Sequence, residues 1–137
     1  MRRGVLCFAL SFGLALGACG DSDRGAAAKV VDRHLEAIAD GNPESACRDL
    51  TPKAKRVVVV SVNATAQRDI AANCVEAYGA IAANLTEETQ RALRRSDLDV
   101  LVGEGGTATV DSSATTGEIE LTKAGSDWKI SRINFGS

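Results

Sequence analysis

After Ser96 the apolar residues stop recurring every three or four positions and begin to alternate, and this change of period restricts the fold more than any other feature of the chain. Upstream, in AAAKVVDRHLEAIADGN, Val31, Leu35 and Ile38 share one helical face while Asp32, Arg33 and Glu36 lie on others. Downstream, Leu98, Val100 and Val102 fall on one side of an extended chain, GEGG turns it, and Ala108 and Val110 alternate again. Ile119 and Leu121 mark a third strand. Trp128 and Ile130 mark a fourth, in WKISRINF, where Ile133 and Phe135 have the opposite parity. That switch predicts a β-bulge or a strand buried on both faces. Helices first and consecutive strands second make an α+β domain, with the helices packed on a four-stranded antiparallel sheet.

The helical half divides at its punctuation. Gly41 and Asn42 stop the first helix, and Pro43 opens the short segment PESACRDL. Thr51 followed by Pro52 is an N-cap with proline at the first helical position. The valine run of KAKRVVVVSV suits a strand as well as a helix, and the cap argues for a helix at least through Val57. ATAQRDIAANCVEAYGAIAANL predicts one long helix with Ile70, Cys74, Ala77 or Tyr78, and Ile81 on its stripe. Thr86, with Glu87 and Glu88, starts a last helix ending near Arg95. Its Arg91, Arg94 and Arg95 stand among acidic neighbours and are expected to form a solvated helix end. Asn63-Ala64-Thr65 and Asn84-Leu85-Thr86 match a glycosylation pattern but are expected to serve as caps and turns.

The first residues address location. Arg2 and Arg3 precede an uncharged run from Gly4 to Ala18 whose only polar side chain is Ser11. The run is shorter than the roughly 20 residues a membrane-spanning helix needs, and it ends in small residues as a secretory signal does. Leu16, Gly17, Ala18 and Cys19 resemble the lipobox of bacterial lipoproteins, in which the cysteine is acylated and becomes the new N-terminus. A twin-arginine export signal would share Arg2 and Arg3, but their surroundings do not extend that match. The expected organisation is a lipoprotein signal over 1–18, a lipidated N-terminus and short tether over 19–25, and a single α+β domain over 26–137. The expected location is the extracytoplasmic face of the cell membrane, held by lipid on Cys19.

Processing sharpens the composition. Without Arg2 and Arg3, 14 basic side chains face 18 acidic ones, a formal charge of −4. Only Tyr78, Trp128 and Phe135 remain as aromatics. An acidic chain with so few rings is a poor nucleic-acid binder, and none is expected as a partner. Cys7 leaves with the signal and Cys19 is lipidated, so Cys47 and Cys74 remain. In an oxidising compartment such a pair is most simply a disulfide. A redox pair or a metal site is the alternative, but the two cysteines are not in C-x-x-C spacing and His34 is the only histidine. No metal or cofactor is expected.

The stretches AAAKVVDRHLEAIADGNPESACRDLTPKAK, LTEETQRALRRS, VLVGEGGTATV and IELTKAGSDWKISRI make the mature chain similar to small bacterial lipoproteins of the nuclear transport factor 2-like, cystatin-related superfamily. The most specific parts are A-C-x-x-L-T-P from Ala46 to Pro52, Cys74, and the final D-W-K-I. The resemblance implies a curved sheet and helices arranged as a cone, which serves as a ligand pocket or an active site, or is simply packed. His34, Tyr78 and Trp128 are the residues expected to line it. Enzymes on that cone use Asp, His and Tyr, and a His34–Tyr78 pair could exchange protons with a bound carbonyl. No acidic residue takes an obvious inward strand position, so no catalytic residue is assigned. The expected role is a non-catalytic accessory or interaction module with a protein partner. The alternatives are a carrier of a small apolar ligand and, behind it, a lyase or isomerase.

Overall fold

The structure is a computed structural model that describes residues 18 to 134, with side chains from residue 21 onward. Residues 1–17 of the signal expected over 1–18, the side chain of Cys19 and Phe135 lie outside the described residues. Five helices precede four strands: α1 (Ala18–Ala39), α2 (Pro43–Arg48), α3 (Pro52–Ala66), α4 (Cys74–Ala83), α5 (Glu87–Arg94), then β1 (Leu98–Val102), β2 (Thr107–Ser112), β3 (Ile119–Ala124) and β4 (Asp127–Ile133). The fold is α+β, with one antiparallel sheet in the order β1-β2-β3-β4.

Capping chemistry sets the helix boundaries. Gly41, at φ 67°, takes the left-handed position after α1, where a Cβ would be strained. Its N–H and that of Asn42 then return to the carbonyls of Ile38 and Ala37, closing a Schellman motif. Asn42 accepts from Ser45 N–H at 3.2 Å and starts α2; Thr51 accepts from Ala54 N–H at 3.2 Å and starts α3. The capped valine run is helical and continues to Ala66, well beyond Val57. Here the cap and the burial of Ala54 and Val58 outweigh the strand preference of β-branched residues.

Residues 18–25 are helical and form the start of α1, where Asp23 bonds Lys123 of β3 at 2.8 Å. One expectation needs correction. The long helix through Ile70 is in fact two helices. Gln67 adopts φ 55° and ends α3, and the side chain of Asn63 takes the N–H groups of Ile70 and Ala71 at 2.9 and 3.0 Å. Asn73 then caps α4 by accepting from Glu76 N–H, while the Glu76 carboxylate reaches back to Ala72 N–H at 2.7 Å. Asn63 itself lies within α3, and its side chain staples the turn that follows the helix.

The sheet buries one face. Val100, Ala108, Val110, Ile119, Leu121, Trp128 and Ile130 pack against Val31, Leu35, Val58 and Tyr78, whereas Leu101 points away. The expected bulge is present. Glu120 pairs with Arg132 and Leu121 with Ile130, so Ser131 is the extra residue. Its hydroxyl donates to the Glu120 carbonyl at 3.1 Å, and the bulge returns Ile133 to the core side. The free edge of β4 is covered in part by the α2–α3 connection. Ile130 N–H donates to the Asp49 carbonyl at 2.8 Å and Thr51 N–H donates to the Ile130 carbonyl at 2.9 Å.

Candidate functional site

His34 faces inward because α1 turns Val30, Val31, His34 and Leu35 onto one buried stripe. Tyr78 sits one turn after Cys74 on the buried side of α4. The packing brings the two together: the Tyr78 hydroxyl and His34 Nε2 lie 3.0 Å apart, with the rings edge to face at 84°. On the other side of the imidazole, Nδ1 is 2.9 Å from the carbonyl of Ala46, near the end of α2. A carbonyl can only accept, so Nδ1 carries the proton, Nε2 is bare, and Tyr78 donates to it. The network assigns a neutral imidazole that satisfies a helix-end carbonyl and orients a tyrosine.

Burial enforces that state. Loss of hydration holds His34 down at about 4, against which its bond to Ala46 and the negative charge of Asp49 work only in part. The same burial pushes the Tyr78 hydroxyl above its ordinary value. Both groups are therefore neutral across the physiological range.

A pH dependence follows. Between pH 6.5 and about 4 the unfolded chain binds the proton that folded His34 refuses. Stability is then complete above pH 6.5 and declines as pH falls through that window, by up to about 3 kcal/mol. Urea unfolding at pH 7 and pH 4.5 should show this loss, and a His34→Phe variant should show a clearly smaller one. An equal loss in both proteins would place the acid sensitivity elsewhere.

His34 and Tyr78 border a cavity of about 280 Å³ between α1, α4, α5 and the sheet, lined mainly by Leu35, Ile38, Ile81, Leu85, Ile119 and Ile133. Chemically, this lining suits a small apolar body. Trp128 does not share it. Trp128 lies at a second cleft of about 420 Å³, with Arg33 and Asp49, where the middle of α1 meets β4. Its indole N–H is buried without a hydrogen-bond partner among the described residues, and Lys123 Nζ stands 5.6 Å from the ring centroid.

The sulfurs of Cys47 and Cys74 are 2.10 Å apart, at disulfide distance, and join α2 to α4. Arg91, Arg94 and Arg95 at the end of α5 are exposed, as expected of a solvated helix end, and Arg94 bonds the Asp40 carboxylate at 2.6 Å. The sequence pattern did not single out the Arg33–Asp49 pair, in which Arg33 Nε and Nη2 meet the two oxygens of a carboxylate only 1% exposed. Asp49 occupies an unspecified position of A-C-x-x-L-T-P and lies in no periodic pattern. The one available hint is that an acidic residue stands between the buried Cys47 and the capping Thr51. Among the described residues no group of three His, Cys, Asp or Glu side chains converges as a metal site, and no helix is long and apolar enough to cross a membrane. In comparisons with known proteins, no family model, no curated protein and no solved structure matches this chain.

Proposed function

We propose that this protein is an extracytoplasmic lipoprotein of the nuclear transport factor 2-like type, anchored through Cys19, that acts by binding a protein partner rather than by catalysis. The observation that supports it best is the Ala46–His34–Tyr78 chain. The two side chains best suited to acid–base work bond to each other and to the backbone, and burial fixes both as neutral. A general base needs a proton affinity near the working pH, and His34 is held far below it.

The test is complementation of a deletion strain at equal protein abundance. His34→Phe combined with Tyr78→Phe keeps the volume and removes both titratable groups, so function should be retained. Cys19→Ser should leave the protein without its acyl mass, and either keep the signal uncleaved or shed the protein into the medium. Loss of function in the double variant, with fold and level normal, would replace this reading by the catalytic one.

A second reading has its own support. A cavity of about 280 Å³ with mainly apolar walls is close to the lower size of small-molecule sites, so a carrier of a small apolar ligand fits it. Native mass spectrometry of protein extracted under mild conditions would reveal such a ligand by its mass.

A further inference from the structure

The cleft beside Trp128 collects charge from three separate parts of the chain. Lys29 and Arg33 are four residues apart and share one face of α1 with Ala26; Arg48 ends α2; Lys129 lies on β4. Against these four cations the cleft holds two carboxylates, Asp49 and Asp127. Asp49 is already neutralised by the two-pronged contact with Arg33. Among the described residues, Lys29, Arg48 and Lys129 take part in no ion pair. A cleft with excess positive charge is notable in a chain whose mature form is acidic.

Two of the cations are held in place before any ligand arrives. The buried Asp49 fixes the guanidinium of Arg33, whose side chain is still 58% exposed and has N–H donors to spare. Lys129 Nζ donates to the Arg48 carbonyl at 2.9 Å and keeps two further donors. Holding these donors in advance lowers the ordering cost of binding an anion with several oxygens. The apolar wall contributed by Trp128 and Val30 gives room for what is attached to that anion.

We propose that this cleft binds a phosphoryl group. The position of the cleft favours a phospholipid headgroup as its source. Because α1 is continuous from Ala18, Ala26 stands seven residues from Cys19, about 10 Å at 1.5 Å per residue. An acylated Cys19 would hold the cleft close to the headgroup layer, where it would orient the domain on the membrane. This choice of source rests on the anchor proposed above, whereas the phosphoryl chemistry does not. A soluble phosphate compound is the other source.

Trp128 is the only tryptophan of the chain, so its emission reports on the cleft. The full lipidated protein, in uncharged detergent, is titrated with inorganic phosphate, with chloride at matched ionic strength as the control. In parallel it is reconstituted into nanodiscs of phosphatidylglycerol or of phosphatidylcholine. Each arm is repeated with Lys29→Gln/Lys129→Gln, which spares the Arg33–Asp49 pair and keeps a donor at each position. A saturable change in emission with phosphate, weakened about tenfold or more in the variant, supports a soluble phosphoryl ligand. A change in phosphatidylglycerol discs, with slower hydrogen exchange over residues 126–129 that the variant loses, supports the headgroup. No response in any arm, or an equal response in the variant, overturns the site. The mass of the N-terminal peptide reports acylation of Cys19 separately, so failure of the anchor and failure of the site are told apart.

Discussion

Replacing Cys47 and Cys74 together by alanine is expected to lower stability by about 3.5 kcal/mol, the chain-entropy value for closing a loop of this length. The two cysteines are 27 residues apart, and that interval contains α3 and the stapled turn after it. In the unfolded chain the bond removes many of the conformations open to this interval. In the folded chain it fixes α2 against α4, which hold the two ends of the hydrogen-bonded chain through His34: Ala46 precedes Cys47, and Tyr78 follows Cys74 by one turn. For a domain of this size the loss corresponds to a fall in melting temperature of roughly 10–15 °C. Scanning calorimetry of the oxidised parent and the double variant measures it, and the reduced parent should behave like the variant. A fall below about 3 °C would mean that packing of α2 on α4 needs no covalent tie. Hydrogen exchange at α2 should rise as well, because a helix of six residues has little stability of its own.

The sequence was most informative where local chemistry acts alone. Thr51-Pro52 identified the start of α3 because a cap uses only neighbouring residues. The parity switch between Ile130 and Ile133 pointed to a bulge or a strand buried on both faces, because a strand has only two faces, and the register places the bulge at Ser131. Legibility failed where a distant or unremarkable side chain decides. Ile70 has the spacing of a helical stripe, yet Asn63 captures its N–H and that of Ala71, which turns the chain out of the helix. The capping residues Asn73 and Glu76 were the available signal of the new start. Of the three aromatic or imidazole groups expected in one pocket, His34 and Tyr78 meet because each lies on the buried stripe of its helix. Trp128 lies at another cleft, since inward parity on a strand says which face is buried but not which helix covers it. The cationic cleft has no linear signature at all, being assembled from α1, α2 and β4.

Arg33→Ala is expected to destabilise the fold by about 3 kcal/mol, although Arg33 itself is more than half exposed. The cost arises at its partner. Asp49 is 1% exposed, and Arg33 supplies both of the side-chain hydrogen bonds that meet its oxygens. Without the guanidinium a buried carboxylate keeps its desolvation penalty and loses its compensation, which typically costs 3–5 kcal/mol. The exposed side of Arg33 lets water approach the space it leaves, which places the expected value at the lower end of that range. Asp49 also belongs to the segment that pairs with β4 through its carbonyl and Ile130 N–H, so disturbance at the carboxylate reaches the edge of the sheet. In urea the unfolding midpoint should fall by about 2 M. Arg33→Lys should recover only part of the loss, because an ammonium lacks the fork that matches both carboxylate oxygens. The decisive control is the double variant Arg33→Met/Asp49→Leu. Removing both charges should restore stability to within about 1 kcal/mol of the parent, as replacing a buried pair with apolar groups often does. A single variant that loses less than 1 kcal/mol would identify the contact as an ordinary surface ion pair, screened by water from the outset.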